Sequence, residues 1–168
     1  NSGIYKTTDA GTTWNLKQSG NFYDIEANPN SVSNTFFAST SSSVFRSINA
    51  GENWVATYTI SGSNRVSIAV TPTDTNYVYA LSSNSSNNGF KGLYRSTNGG
   101  QNFSLRSSTP NILGWDEAGG GTGGQGSYDL ALAADPSSAN TIYVGGVNTW
   151  KSTNGGSTWT LKSHWSGA

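Results

Sequence analysis

The chain has no cysteine, no methionine, few charges and no long apolar run, and each absence excludes something. Without cysteine there is neither a disulfide framework nor a thiolate zinc site. A single histidine, His164, with no second histidine and no nearby acid, cannot build a metal cluster or a catalytic triad by itself. It is expected to serve packing or a loop. Charged residues make up 11% of the chain, and nine Lys plus Arg balance nine Asp plus Glu. No basic field therefore exists to hold a nucleic-acid backbone or an anionic membrane. No apolar stretch approaches the roughly 20 residues of a membrane span, so direct membrane insertion is not expected. The opening "NSGIYK" is not a charged and apolar leader, and the missing methionine leads us to expect a mature or excised segment.

In place of these, the chain is rich in Gly, Ser, Thr, Asn and aromatics, a composition suited to an all-β extracellular protein. It also writes one polar turn four times: "KTTDAGTTWNLK" from Lys6, "RSINAGENWVAT" from Arg46, "RSTNGGQNFSLR" from Arg95 and "KSTNGGSTWTLK" from Lys151. The aromatics Trp14, Trp54, Phe103 and Trp159 are 40, 49 and 56 residues apart, as expected when each repeat is one supersecondary unit. Before each turn, alternating runs such as "NTFFAST" then "SVFRS" read as strands. Before these lies another strand that ends near a proline, at Pro29, Pro72 and Pro136. One repeat is then four short antiparallel strands, which is a propeller blade.

No stretch has helical periodicity. The expected fold is an all-β β-propeller of four-stranded antiparallel blades, present as a partial arc of about three blades plus the end of a fourth. The expected boundaries are a blade end at 1–20 and blades at 21–60, 61–109 and 110–168.

The four turns resemble the Asp-box, or BNR, repeat, with the pattern Ser/Thr, x, Asp, x, Gly, x, Thr, Trp. The matching residues are Thr7, Asp9, Gly11, Thr13 and Trp14; Ser47, Asn49, Gly51, Asn53 and Trp54; Ser96, Asn98, Gly100, Asn102 and Phe103; and Ser152, Asn154, Gly156, Thr158 and Trp159. The resemblance extends to sialidases, xyloglucanase-type glycoside hydrolases and the sortilin luminal propeller. Its implied role for these residues is structural. An Asx oxygen accepts nearby backbone N–H groups and glycine supplies positive φ, and Asn in three copies keeps that oxygen while dropping the charge. Calcium wants several carboxylates, so no metal site and no cofactor are expected. The basic residues Lys6, Arg46, Arg95 and Lys151 recur at one blade position, which favours a structural or solvated role over a substrate clamp.

Ligands of propellers sit where the repeat is broken, and two departures stand out: "SSNSSNNGFKG" at 82–92 and "RSSTPNILGWDEAGGGTGGQGSYD" at 106–129. The second is either a Gly-rich surface loop with an exposed acidic turn or a sugar site. In the latter reading Asp116, Glu117 and Asp129 are catalytic candidates, and Trp115, Gln125 and Tyr128 are ligand-binding candidates, because aromatic platforms beside paired carboxylates serve glycoside chemistry. A sialidase would need three arginines on a carboxylate, and two of the four here stand at the repeat position. A xyloglucanase would draw its two aspartates from separate propeller domains. The glycine run lacks the GxxxxGK[ST] pattern of a phosphate loop.

The expected function is therefore a non-catalytic segment of a secreted or cell-surface propeller that presents loops to a carbohydrate or protein ligand. The rest of a longer polypeptide, or neighbouring chains, would complete the ring. The alternative is a fragment of a glycoside hydrolase. The "GGQGSYDLALAADP" stretch is also similar to long Asp-box proteins that Bacteroidota export by the type IX route.

Overall fold

The structure, a computed structural model, describes residues 2–30, 32 and 34–166. It is all-β, without an α-helix among the described residues. A hairpin of β1 (Gly3–Lys6) and β2 (Asn15–Ser19) comes first. Three antiparallel four-stranded sheets follow, each with its strands side by side in chain order. The first is β3 (Asp24–Ala27), β4 (Phe36–Ser39), β5 (Ser43–Ser47) and β6 (Val55–Thr59). The second is β7 (Ser63–Val70), β8 (Val78–Asn84), β9 (Phe90–Ser96) and β10 (Ser104–Ser107). The third is β11 (Ala131–Ala134), β12 (Ile142–Gly145), β13 (Thr149–Ser152) and β14 (Thr160–Ser163). These are blades of a β-propeller in a partial arc.

The core lies between blades. Phe37, Val44, Val66, Ile68, Val78 and Ala80 bury the interface of the first and second sheets. Tyr79, Leu81, Leu93, Ile112, Ile142 and Val144 bury that of the second and third. Each fully buried large side chain contributes roughly 1.5–3 kcal/mol. The middle sheet, covered on both faces, buries β8 from Val78 to Ser83 without alternation. At the hairpin side the cover is thinner, with Trp14, Tyr5 and Ile25 60%, 39% and 54% exposed. A cavity of ≈ 450 Å³ lies there, lined by Ile4, Tyr5, Phe22 and Ile25 among others.

The repeated turn has the same bonds in all four copies. The hydroxyl of Thr7, Ser47, Ser96 or Ser152 donates to the Asx Oδ1 two residues on, at 2.7–3.0 Å. The same oxygen accepts the N–H of Gly11, Gly51, Gly100 or Gly156, at 2.9–3.0 Å. The Asx Oδ1 in turn accepts the N–H of Thr13, Asn53, Asn102 or Thr158, at 2.9–3.0 Å. Since only oxygen atoms accept, Asn serves as well as Asp. Glycine meets a second requirement in two copies: a Cβ on Gly100 would strike the Phe37 ring, and one on Gly156 would strike Leu93, both on the preceding blade.

After each turn the hairpin carries a bulge at one fixed place. Pairing skips Lys17, Thr57, Arg106 and Lys162, each three residues beyond the aromatic. A bulge re-aims the extra side chain, and in two of the four hairpins it reaches the next blade. Lys17 Nζ meets Glu52 Oε2 at 2.6 Å, beside Lys6 Nζ on Glu52 Oε1 at 2.7 Å. Arg106 donates to the carbonyls of Gly155 at 3.0 Å and Asn154 at 3.2 Å and to the Ser157 hydroxyl. The aromatic of the turn packs the other way, as Trp159 donates to Ser107 Oγ at 3.0 Å and Phe103 stacks on Tyr58.

Candidate ligand-binding loop cluster

Antiparallel strands send alternate connections to opposite ends of the blades. The repeat turns and proline turns share one end, where the N–H groups of Ala50, Gly99 and Gly155 bond the carbonyls of Asn34, Asn76 and Asn140. The β8–β9 loop, the β10–β11 insertion and the β12–β13 turn share the other. Both departures from the repeat therefore meet at one end of the molecule. Gly124 and Gly126 donate to the carbonyls of Asn87 and Asn88, at 3.1 and 2.9 Å. Asn111 Oδ1 accepts Phe90 N–H at 2.8 Å, and its Nδ2 donates to Gly123 O at 2.9 Å. Arg65 Nη1 holds the far end of the insertion by the carbonyls of Tyr128 and Ser127, at 2.7 and 3.1 Å.

The insertion is a packed element. Ile112 and Leu113 enter the core at 0% and 1% exposure. A Cβ on Gly126 would lie 2.6 Å from the Ser83 side chain and 2.9 Å from Asn88 O, so this glycine admits close backbone approach. Buried Asn148, in the β12–β13 turn, donates to Gly114 O at 3.1 Å and accepts the N–H of Trp165. His164 Nε2 bonds Trp115 O at 2.9 Å, and Ser166 Oγ meets Nδ1 at 2.7 Å. A carbonyl can only accept, so the ring carries its proton on Nε2. The histidine fastens a loop, as its isolation in the sequence implied.

The candidate residues divide into two groups. Trp115 is 44% exposed beside His164, and Asp116 spends its Oδ1 on the N–H groups of Ala118 and Gly120, at 2.8 and 3.1 Å. Asp116 thus shapes the acidic turn, while Glu117 stands exposed next to it. On the Arg65 side, the Gln125 carbonyl accepts the N–H groups of Tyr128 and Asp129, both at 2.7 Å, with the Gln125 side chain exposed. Tyr128 is 82% exposed. Asp129 stands just before β11, the first strand of its sheet, and lines a hollow of ≈ 320 Å³ with Leu130, Ala131, Gly145 and Gly146.

Between the two departures lies a cavity of ≈ 360 Å³, lined by Asn84, Asn87, Phe90, Pro110, Asn111 and Thr122 among others. Asn84, Asn87 and Asn111 bring amides to it and Ser108, Thr109 and Thr122 bring hydroxyls, while the Phe90 ring is buried against Trp159. None of the sequence candidates lines it. The sequence signal for it is the Asn- and Ser-rich run at 82–92, which marks a segment and no single residue. Burial raises the pKa of Glu26, on β3, with a further push from the negative charge of Asp24. Among the described residues no three His, Cys, Asp or Glu gather to hold a metal, and no helix is long and apolar enough to cross a membrane.

No protein-family model matches the chain. No curated protein matches it either. Solved structures do. An ancestral GH74 enzyme superposes with a TM-score of 0.69 at 21% identity, covering 96% of this chain and 21% of that one. The GH74 enzyme of Niastella koreensis gives 0.60 at 19%, covering 95% and 26%. YCF48 from Cyanidioschyzon merolae gives 0.57 at 18%, covering 84% and 37%, and another YCF48 structure, with TM-score 0.56 and 10% identity, is bound to D1 peptide. The chain spans well under half the length of each of these structures. Likeness at such identity carries the fold alone, and that fold is the β-propeller.

Proposed function

We propose that the chain is a segment of a secreted or cell-surface Asp-box propeller protein whose loop cluster, opposite the repeat turns, binds carbohydrate. The observation that carries this reading is the convergence of both breaks in the repeat on one polar cavity. Its lining of amides and hydroxyls suits sugar hydroxyls. Trp115 and Tyr128 flank the cluster as exposed aromatics. Further blades of the same polypeptide, or neighbouring chains, cover the two open faces of the arc. Resemblance to type IX cargo of Bacteroidota fits a place outside the cell, which fractionation of producing cells tests. For binding, affinity electrophoresis of the longer protein in extracellular polysaccharides is the direct measurement. Retardation that weakens in Trp115→Ala and Tyr128→Ala supports the reading, and migration unaltered by every polysaccharide removes it.

A second reading, a glycoside hydrolase fragment, draws on the likeness to GH74 enzymes and on Asp129 lining a hollow just ahead of β11. Release of reducing ends from xyloglucan by the longer protein tests it. Activity abolished in Asp129→Asn and retained in Asp116→Asn, whose oxygen can still hold the turn, favours the enzyme.

A further inference from the structure

The four hairpins offer one pair of positions to the next blade: the basic residue that opens the repeat and the bulge residue eleven positions later. In the hairpin of β1 and β2 both are lysines, Lys6 and Lys17, and they converge on one carboxylate, Glu52. Glu52 immediately follows Gly51, the glycine whose N–H closes its turn. In the second sheet both are arginines. Arg95 reaches Asn140 Oδ1 at 3.1 Å, and Arg106 takes Ser157, which follows Gly156, together with two carbonyls. In the first sheet the pair is Arg46 and Thr57, and no hydrogen bond joins the Thr57 hydroxyl to the next blade. The side chains thus match by type: two point-like ammonium groups take a carboxylate, while a guanidinium fork takes a hydroxyl and carbonyls.

The third sheet repeats the double lysine, with Lys151 and Lys162, and the same bulge sets them in the same register. Lys151 lies over the Tyr143 ring and near Asp135 of its own sheet. Neither ammonium group has a hydrogen bond or salt bridge among the described residues. We propose that the open face of the β11–β14 sheet docks one further blade of the same repeat, whose turn carries Asp or Glu directly after the glycine equivalent to Gly51, gripped by Lys151 and Lys162. This rests on the reading that further blades complete the arc, and it adds which face, which lysines and which acid. The charge pattern argues for a blade over a second copy of this chain, because the first turn presents Thr12 at that position.

Zero-length carbodiimide cross-linking of the longer protein, read by mass spectrometry, tests the proposal. Lys6 or Lys17 linked to Glu52 is the internal control. The expected product joins Lys162 or Lys151 to a carboxylate directly after the glycine of the following repeat turn that is equivalent to Gly51, and Lys162→Glu together with Lys151→Glu abolishes it. The control link without this product, or a following turn with no acid at that position, overturns the lysine grip. A link from Lys162 to Asp9 of another copy overturns it in favour of self-association. Should residues 1–168 alone give a cooperative melt and a dispersed spectrum as a monomer, the underlying reading of an incomplete arc fails instead.

Discussion

At the scale of single residues, the repeated turn converts carboxylates into pH-dependent fasteners. Hydrogen bonds from the Thr13 hydroxyl, Thr13 N–H and Thr7 lower Asp9 from 3.8 to about 2. Lys17 and then Lys6 lower Glu52 from 4.5 to about 2. A carboxylate with a depressed folded-state pKa favours folding above its unfolded value and loses that contribution as pH falls to the folded one. Urea titrations should therefore show stability declining between about pH 4.5 and 2. The decline should be shallower in Asp9→Asn and Glu52→Gln, and weaker in high salt because both groups are exposed. Glycine makes the second prediction at this scale. Gly11 and Gly156 share positive φ, yet a Cβ at Gly11 finds only Trp14 at 3.9 Å whereas one at Gly156 meets Leu93. Gly11→Ala should cost about 1–2 kcal/mol for the left-handed backbone. Gly156→Ala should cost about 1–3 kcal/mol more from overpacking, as measured by denaturant melts.

At the scale of elements, the bulged hairpin is what joins one blade to the next. Arg106 makes three bonds to the following turn, and hydrogen bonds to charged groups are worth about 1.5–3 kcal/mol. Arg106→Ala should cost about that much, and Arg106→Lys should recover only part, because one ammonium cannot span the two carbonyls and the hydroxyl. The four strands, the proline turns and the hydrogen-bonding role of the Asx residues were legible beforehand because period-2 runs and turn chemistry are local. The bulge residue was in plain view as the last letter of each quoted copy, K, T, R and K. It went unread because a bulge is defined by pairing, and pairing partners lie outside any one stretch. The insertion was legible as a break in the pattern. Its packing was not, since Ile112, Leu113 and the close-approach glycines acquire meaning only against Ser83, Asn87 and Asn88.

At the scale of the whole molecule, each blade buries its faces on its neighbours, so the arc has two faces with different deficits. The leading one leaves Trp14 60% exposed, whereas Trp54, the same residue of the next blade, is 9% exposed. Apolar surface of this kind in water favours association. Residues 1–168 expressed alone should bind a hydrophobic dye and associate with rising concentration, and the longer protein should do neither. Trp14→Ser should reduce the association of the isolated chain.

What the amino-acid order determined by itself is the repeat: four turns, their hydrogen-bonding atoms, the strands around them and the blade architecture, all written within windows of a dozen residues. Only the tertiary structure decided which departures from the repeat meet. Asn87, Asn111 and Thr122 line one cavity although 35 positions separate the first from the last. Alternate strand direction, a property of the sheet, sends both loops to one end. The tertiary structure likewise divided the acidic candidates, because whether Asp116 faces a ligand or its own turn depends on the backbone N–H groups that the fold brings within 2.8 and 3.1 Å of its oxygen.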